Sequence, residues 1–159
     1  MNPHLLTGDI ILSHERGSAS SRNIALLTGS FFSHSAVYLE NGVMIESVTT
    51  GVQLRPTQDE FSKCEYVIMR CLALTDEQRE KILTISPSFV GQHYDFGSAI
   101  NILRRTFMSN GKNIPKPSNA NICTNLVVDL YRKVGIELTK IKNPTPKELY
   151  NSSALQRVY

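Results

Sequence analysis

Three residues able to do nucleophilic chemistry stand far apart in this chain: His34, Glu46 and Cys123. A cysteine attacks a carbonyl as its thiolate, so it needs a histidine to take and return the proton. That histidine in turn needs an orienting group. Cys123 opens the segment Cys123 to Val134, where Leu126, Val127, Leu130, Tyr131 and Val134 form one helical stripe and Gly135 ends it. A helix start carries partial positive charge and unpaired N–H groups, which lower a cysteine pKa and can receive a developing oxyanion. Leu126 and Val127 follow at three and four residues, so the thiol is expected on the buried side, against a sheet. Each residue also has a blander reading. A free cysteine is commonly a small core residue, a lone histidine a strand-edge group, and a strand glutamate a solvated one. Chemistry requires that the three meet.

Whether His34 and Glu46 share a face depends on hairpin register. Ser35 to Leu39 and Val43 to Val48 are β-rich and flank Glu40-Asn41-Gly42, a strong hairpin signal. A two-residue turn at Asn41-Gly42 would set Glu46 beside Val37 and Leu39, with His34 on the opposite side. A three-residue loop with Gly42 left-handed pairs Leu39 with Val43 and sets Ala36 opposite Glu46. Val37, Leu39, Val43 and Ile45 then make one apolar face, and His34, Ala36, Glu46 and Val48 the other. The apolar alternation is cleaner in the second register, which favours a common face for His34 and Glu46.

Further strands are expected at Asp9 to Ser13, Gly51 to Arg55 and Tyr66 to Met69, with a polar turn or short helix around Thr57 to Phe61. Arg22 to Leu27 reads as a short helix capped by Ser20 or Ser21. Thr75-Asp76-Glu77-Gln78 is a capping box opening a helix with Ile82, Leu83 and Ile85 on its apolar side, and Pro87 should break or kink it. Phe96 to Arg105 reads as helical and Ser109 to Asn121 as a loop. A last short helix begins at Thr145 with Pro146 at its first position. Strands come early and helices late, which is an α+β arrangement.

The segments TGDIIL, TGSFFSHSAVYLENGVMIES, GQHYDF and ICTNLVVDLYRKVGIEL occur in that order, with NPTPKELYNSS near the end. Together they resemble the circularly permuted NlpC-like papain-fold cysteine hydrolases, in particular the YiiX-like group, over most of the chain. In papain-like folds the cysteine helix normally precedes the histidine strand, whereas in the permuted group, as here, it follows. The resemblance implies an antiparallel sheet packed against helices that include the nucleophile helix. It also implies Cys123 as nucleophile, His34 as base and Glu46 as orienting residue. Tyr94 of GQHYDF matches a tyrosine that lines the active site of this group. The related lecithin:retinol-acyltransferase-like proteins share His-x-Ala-x-Tyr before a turn, but they usually place a histidine where this chain has Glu46. They often add an apolar membrane tail, and this chain shows none.

Composition narrows the remaining options. With 159 residues, 41% of them hydrophobic and 19% charged, the chain reads as one folded domain spanning 1–159. A net charge of +3 without a dense basic run gives no footprint for nucleic acid. No apolar run approaches the roughly 20 residues that span a bilayer. The start MNPHLLTGDI lacks the layout of a secretory signal, so a cytoplasmic place, or export without a classical signal peptide, is expected. Cys64 and Cys71 read as core thiols, His4 and His14 as solvated, Asp9 as a backbone-capping group and His93 as a weaker competitor for the base. Arg104, Arg105, Lys112 and Lys116 read as a solvated basic loop. The histidines and cysteines show no metal-ligand spacing, and a thiolate mechanism requires no cofactor. The expected function is a cysteine hydrolase that cleaves an amide bond of a small peptide-like or acylated substrate through a thioester. An acyltransferase or phospholipase, or a non-catalytic binding module of the same fold, remains an alternative.

Overall fold

The loop between residues 40 and 42 sets the geometry of the sheet in this computed structural model. Gly42 lies at φ 74° and Asn41 at φ 52°, the left-handed region that Gly adopts freely and Asn tolerates. The Leu39 N–H donates to the Val43 carbonyl at 2.9 Å and the Val43 N–H to the Glu40 carbonyl at 2.8 Å. This is the three-residue loop, and it pairs Ala36 with Glu46 and Val37 with Ile45. The register that the apolar alternation favours is therefore the one adopted.

The structure describes residues 4–19, 21–22, 30–92 and 123–159. Tyr94, His93, the expected Phe96 to Arg105 helix, the Ser109 to Asn121 loop and all but the first residue of the Arg22 to Leu27 helix lie outside them. Within them run β1 (Ile10–Glu15), β2 (His34–Tyr38), β3 (Val43–Val48), β4 (Gly51–Pro56), α1 (Thr57–Lys63), β5 (Cys64–Arg70), α2 (Asp76–Ile85), a 3₁₀ turn (Ser86–Phe89), α3 (Cys123–Lys133), α4 (Pro146–Tyr150) and β6 (Gln156–Arg157). The strands form one six-stranded sheet in the order β4-β3-β2-β1-β5-β6, and every neighbouring pair is antiparallel. The fold is α+β, as expected. β5 is longer at both ends than its apolar run suggests, and the two-residue β6 was not expected.

Period-two alternation gives the sheet two unlike faces. Ile10, Leu12, Val37, Leu39, Ile45, Val67 and Met69 point to one side and pack with Leu126, Val127, Leu130 and Tyr131 of α3. Burying each such side chain contributes roughly 1.5–3 kcal/mol, so this layer holds α3 to the sheet. α3 ends where Gly135 turns left-handed at φ 86° and the Ile136 N–H reaches back to the Tyr131 carbonyl at 3.0 Å. Its start is tied down as well: the Thr124 hydroxyl donates to the Pro144 carbonyl and Asn125 Nδ2 to Asn143 Oδ1 at 3.1 Å. α2 and α4 both begin with capping boxes, on Thr75 with Gln78 and on Thr145 with Glu148. The other face is apolar around Ile11, Ala36, Met44 and Ile68, with Phe61 of α1 and Tyr66 against them. Beyond Ala36 this second face turns polar, and there His34 and Glu46 stand.

Candidate active site

His34 is the first residue of β2 and Glu46 sits on β3, and strand alternation puts both on the face opposite the one α3 covers. Cys123 is the first residue of α3. The three meet because His34 opens its strand: the start of α3 lies against His34 and Ser35 at that strand end. The thiol of Cys123, 6% exposed, stands against the His34 ring closely enough for each group to shift the other's pKa. His34 Nε2 stands 2.8 Å from Glu46 Oε2, so Nδ1 is the ring nitrogen left for the sulfur.

Glu46 is fully buried and its other oxygen is occupied too. Oε1 accepts from Gln53 Nε2 at 2.8 Å and from Arg55 Nη1 at 3.4 Å. The β3–β4 register explains this, since Gln53 pairs with Glu46 and Arg55 with Met44, all on one face. The same Arg55 nitrogen reaches Glu60 Oε2 of α1 at 3.4 Å, and Glu60 Oε1 accepts from the Ser13 hydroxyl. Arg55 Nε also lies 3.7 Å from Asp59 Oδ2. A chain of ionic and hydrogen-bonded contacts thus runs from Ser13 through Glu60, Arg55 and Glu46 to His34 and Cys123.

These contacts set the protonation states. Burial works against charge on Glu46, but the His34 bond and charge, Gln53 and Arg55 outweigh it and bring the pKa down to about 2. Burial likewise pulls His34 down, and its bonds to Cys123 and Glu46 overcome that, raising it well above 6.5. Burial pushes the Cys123 thiol up, yet His34 and Ser35 outweigh it and lower its pKa. The pair therefore favours thiolate and imidazolium. It opens on a cleft of about 340 Å³ bordered by Ser13, His34, Ser47, Lys63, Cys64 and Cys123. Such an arrangement can attack an electrophilic carbon and hand a proton to what leaves.

The other cysteines behave as the core reading expects. Cys64 borders the cleft but is buried, and burial together with the Glu60 carboxylate pushes its thiol up to about 12. Cys71 is buried and free. Asp9 does cap backbone, accepting from the Leu6 N–H at 2.8 Å, and it also holds Arg70. His14 departs from expectation: it is half-buried, 3.1 Å from the Ser21 hydroxyl and tilted against Phe31. Gln53, Arg55 and Glu60 escaped the sequence reading. Gln53 could have been found, because the Thr49-Thr50 turn places it opposite Glu46, whereas nothing local marks Glu60. Among the described residues no helix is long and apolar enough to cross a membrane, and no group of three or more His, Cys, Asp or Glu could hold a metal ion.

No curated protein matches the chain. Among solved structures it is similar to the metalloprotein YiiX from Escherichia coli O157:H7, with a TM-score of 0.67 and 22% identity over 96% of each chain. That likeness concerns the fold. The model of the permuted papain-like amidase enzymes, YaeF/YiiX, matches residues 4–159. With cysteine helix after histidine strand and a family match across the described sheet and helices, the chain belongs to the permuted papain-like amidases of the C92 family.

Proposed function

We propose that this amidase cleaves a peptide, isopeptide or aminoacyl bond through a thioester on Cys123, with His34 as base and Glu46 as the residue that orients it. The observation that carries this reading is the 2.8 Å contact from His34 Nε2 to Glu46 Oε2 beside the Cys123 thiol. In this mechanism the Cys123 sulfur attacks the carbonyl carbon and the backbone N–H of Cys123 helps hold the oxyanion. His34 protonates the leaving amine, then draws a proton from water as the thioester is hydrolysed. Glu46 keeps the ring turned so that Nδ1 meets sulfur, and its charge stabilises the imidazolium.

A soluble amide is favoured over a lipid ester because the cleft border is serine-rich and carries Lys63, Arg55 and Glu60, a lining suited to a polar ligand. The test incubates wild type and Cys123→Ala with peptide, isopeptide and phospholipid panels and traps the acyl-enzyme by intact mass. Peptide or isopeptide turnover with an acyl adduct on wild type alone is the expected result. A stable fatty-acyl adduct without peptide turnover would make the protein an acyltransferase. Tight binding by both proteins with no adduct would make it a binding module.

A further inference from the structure

Buried polar groups in folded proteins nearly always have partners, because leaving one unpaired costs about 1–3 kcal/mol. Among the described residues two buried side-chain oxygens lack a hydrogen-bond partner, Ser35 Oγ and Ser47 Oγ. Both residues are 0% exposed. They are not scattered. The β2–β3 register that pairs Ala36 with Glu46 sets Ser35 directly across from Ser47, on the face that α3 covers. Ser35 opens towards the Cys123 sulfur at the start of α3 and helps lower its pKa, and Ser47 borders the cleft together with Cys123. Two hydroxyl donors thus stand side by side where negative charge sits before and after attack.

We propose that Ser35 and Ser47 are the donors that follow this charge: Ser35 holds the Cys123 thiolate, and Ser47 donates its hydroxyl to the substrate carbonyl oxygen as it becomes an oxyanion. The proposal rests on the reading of Cys123 as nucleophile. As the sulfur bonds to the carbonyl carbon, the C=O π pair moves onto oxygen, and the Ser47 hydroxyl gains the partner it lacks in the free protein. When the intermediate collapses, the C=O bond re-forms and the leaving group departs, an amine taking its proton from His34. A donor unpaired in the ground state and paired in the transition state lowers the barrier without tightening substrate binding. Ser47 is then a second contributor to the oxyanion site, beside the Cys123 N–H.

The experiment compares two reactions of the same sulfur. p-Nitrophenyl acetate acylates it through an oxyanion, and its nitrophenolate leaves unprotonated, so the burst reports attack on the carbonyl. Iodoacetamide alkylates it with no oxyanion. Ser47→Ala should slow the burst about 10²-fold while Cys123 alkylation keeps its wild-type rate, and Ser47→Thr should restore the burst. Ser35→Ala should move the pH midpoint of alkylation upward. The thermal midpoint of Ser47→Ala should be unchanged or higher, since it loses an unpaired hydroxyl. A wild-type burst in Ser47→Ala, an equal slowing of both reactions, or a destabilised Ser47→Ala protein overturns the proposal. A burst in Cys123→Ala equal to wild type would instead remove the nucleophile on which the proposal stands.

Discussion

The two ends of the β1–β2 ladder each bury a carboxylate against an arginine, and they use it differently. At one end Asp9, fully buried, takes Arg70 on both oxygens at 2.7 and 2.6 Å, and one of them also accepts the Leu6 N–H. Arg70 continues to the His4 carbonyl at 2.8 Å. Every strong site of that carboxylate is spent on its own surroundings, as in a structural clasp. At the other end Glu46, equally buried, gives Arg55 only a 3.4 Å contact on Oε1 and keeps Oε2 for a histidine. The geometry of the arginine thus separates a carboxylate that fastens chain from one that holds a histidine ring. Short bidentate contacts immobilise, whereas a longer single contact holds orientation and leaves an oxygen free for chemistry.

The comparison is broken most sharply by mutating both ends. Cys123→Ala, at the Glu46 end, should lower turnover by on the order of 10⁴-fold or more while the thermal midpoint hardly moves. Asp9→Ala should do the reverse. It strands Arg70, so urea unfolding should show a loss of about 3–5 kcal/mol, with turnover per folded molecule unchanged. If Asp9→Ala impaired turnover of a fully folded sample, the division between the two ends would be wrong.

Arg55→Met sharpens the comparison at lower amplitude. Gln53 and His34 still hold Glu46, so the carboxylate loosens rather than leaves. We expect a fall in kcat of up to about 10²-fold with KM little changed. The Glu46 pKa should also rise, carrying the acid limb of the pH–rate profile upward, and Arg55→Lys should recover part of both. An unaltered profile would make Arg55 a stability element like Arg70.

The smallest effect concerns acid stability. The Glu46 pKa falls from 4.5 unfolded to about 2 folded. A depressed carboxylate stabilises the fold above its unfolded pKa, and that contribution is lost as pH falls from about 4.5 towards 2. Glu46→Gln should flatten the stability curve in that window and leave its shape above pH 5 alone. Chemical unfolding at a series of pH values measures it.

Much of this was legible in the sequence where a periodic or capping signal existed. The alternation of Val37, Leu39, Val43 and Ile45 fixed the hairpin register and brought His34 to Glu46. The stripe from Leu126 to Tyr131 located the helix that Cys123 starts, and Thr75 with Gln78 announced α2. What escaped lacks a local period. Glu60 joins the site only because α1 folds over the polar end of one face, and β6 is too short to alternate. The unpaired hydroxyls of Ser35 and Ser47 are visible only once it is known what does not touch them. The placement of Cys123 is a related case. Its helix covers the face opposite His34, and the two meet only because His34 opens its strand, which no pattern in either segment encodes.

In the proposed mechanism Cys123 alone among the cysteines is an activated thiolate, and competitive alkylation decides whether it is. Brief iodoacetamide treatment of the native protein across a pH series, read by peptide mass spectrometry, compares Cys123 with its cleft neighbour Cys64. An ordinary thiol with a pKa of about 8.5 is almost wholly protonated at mildly acidic pH. Cys123 should be modified there, Cys64 should stay unmodified, and His34→Ala should slow the labelling of Cys123. Labelling of Cys123 that begins only at alkaline pH, or that matches Cys64 throughout, would contradict the account.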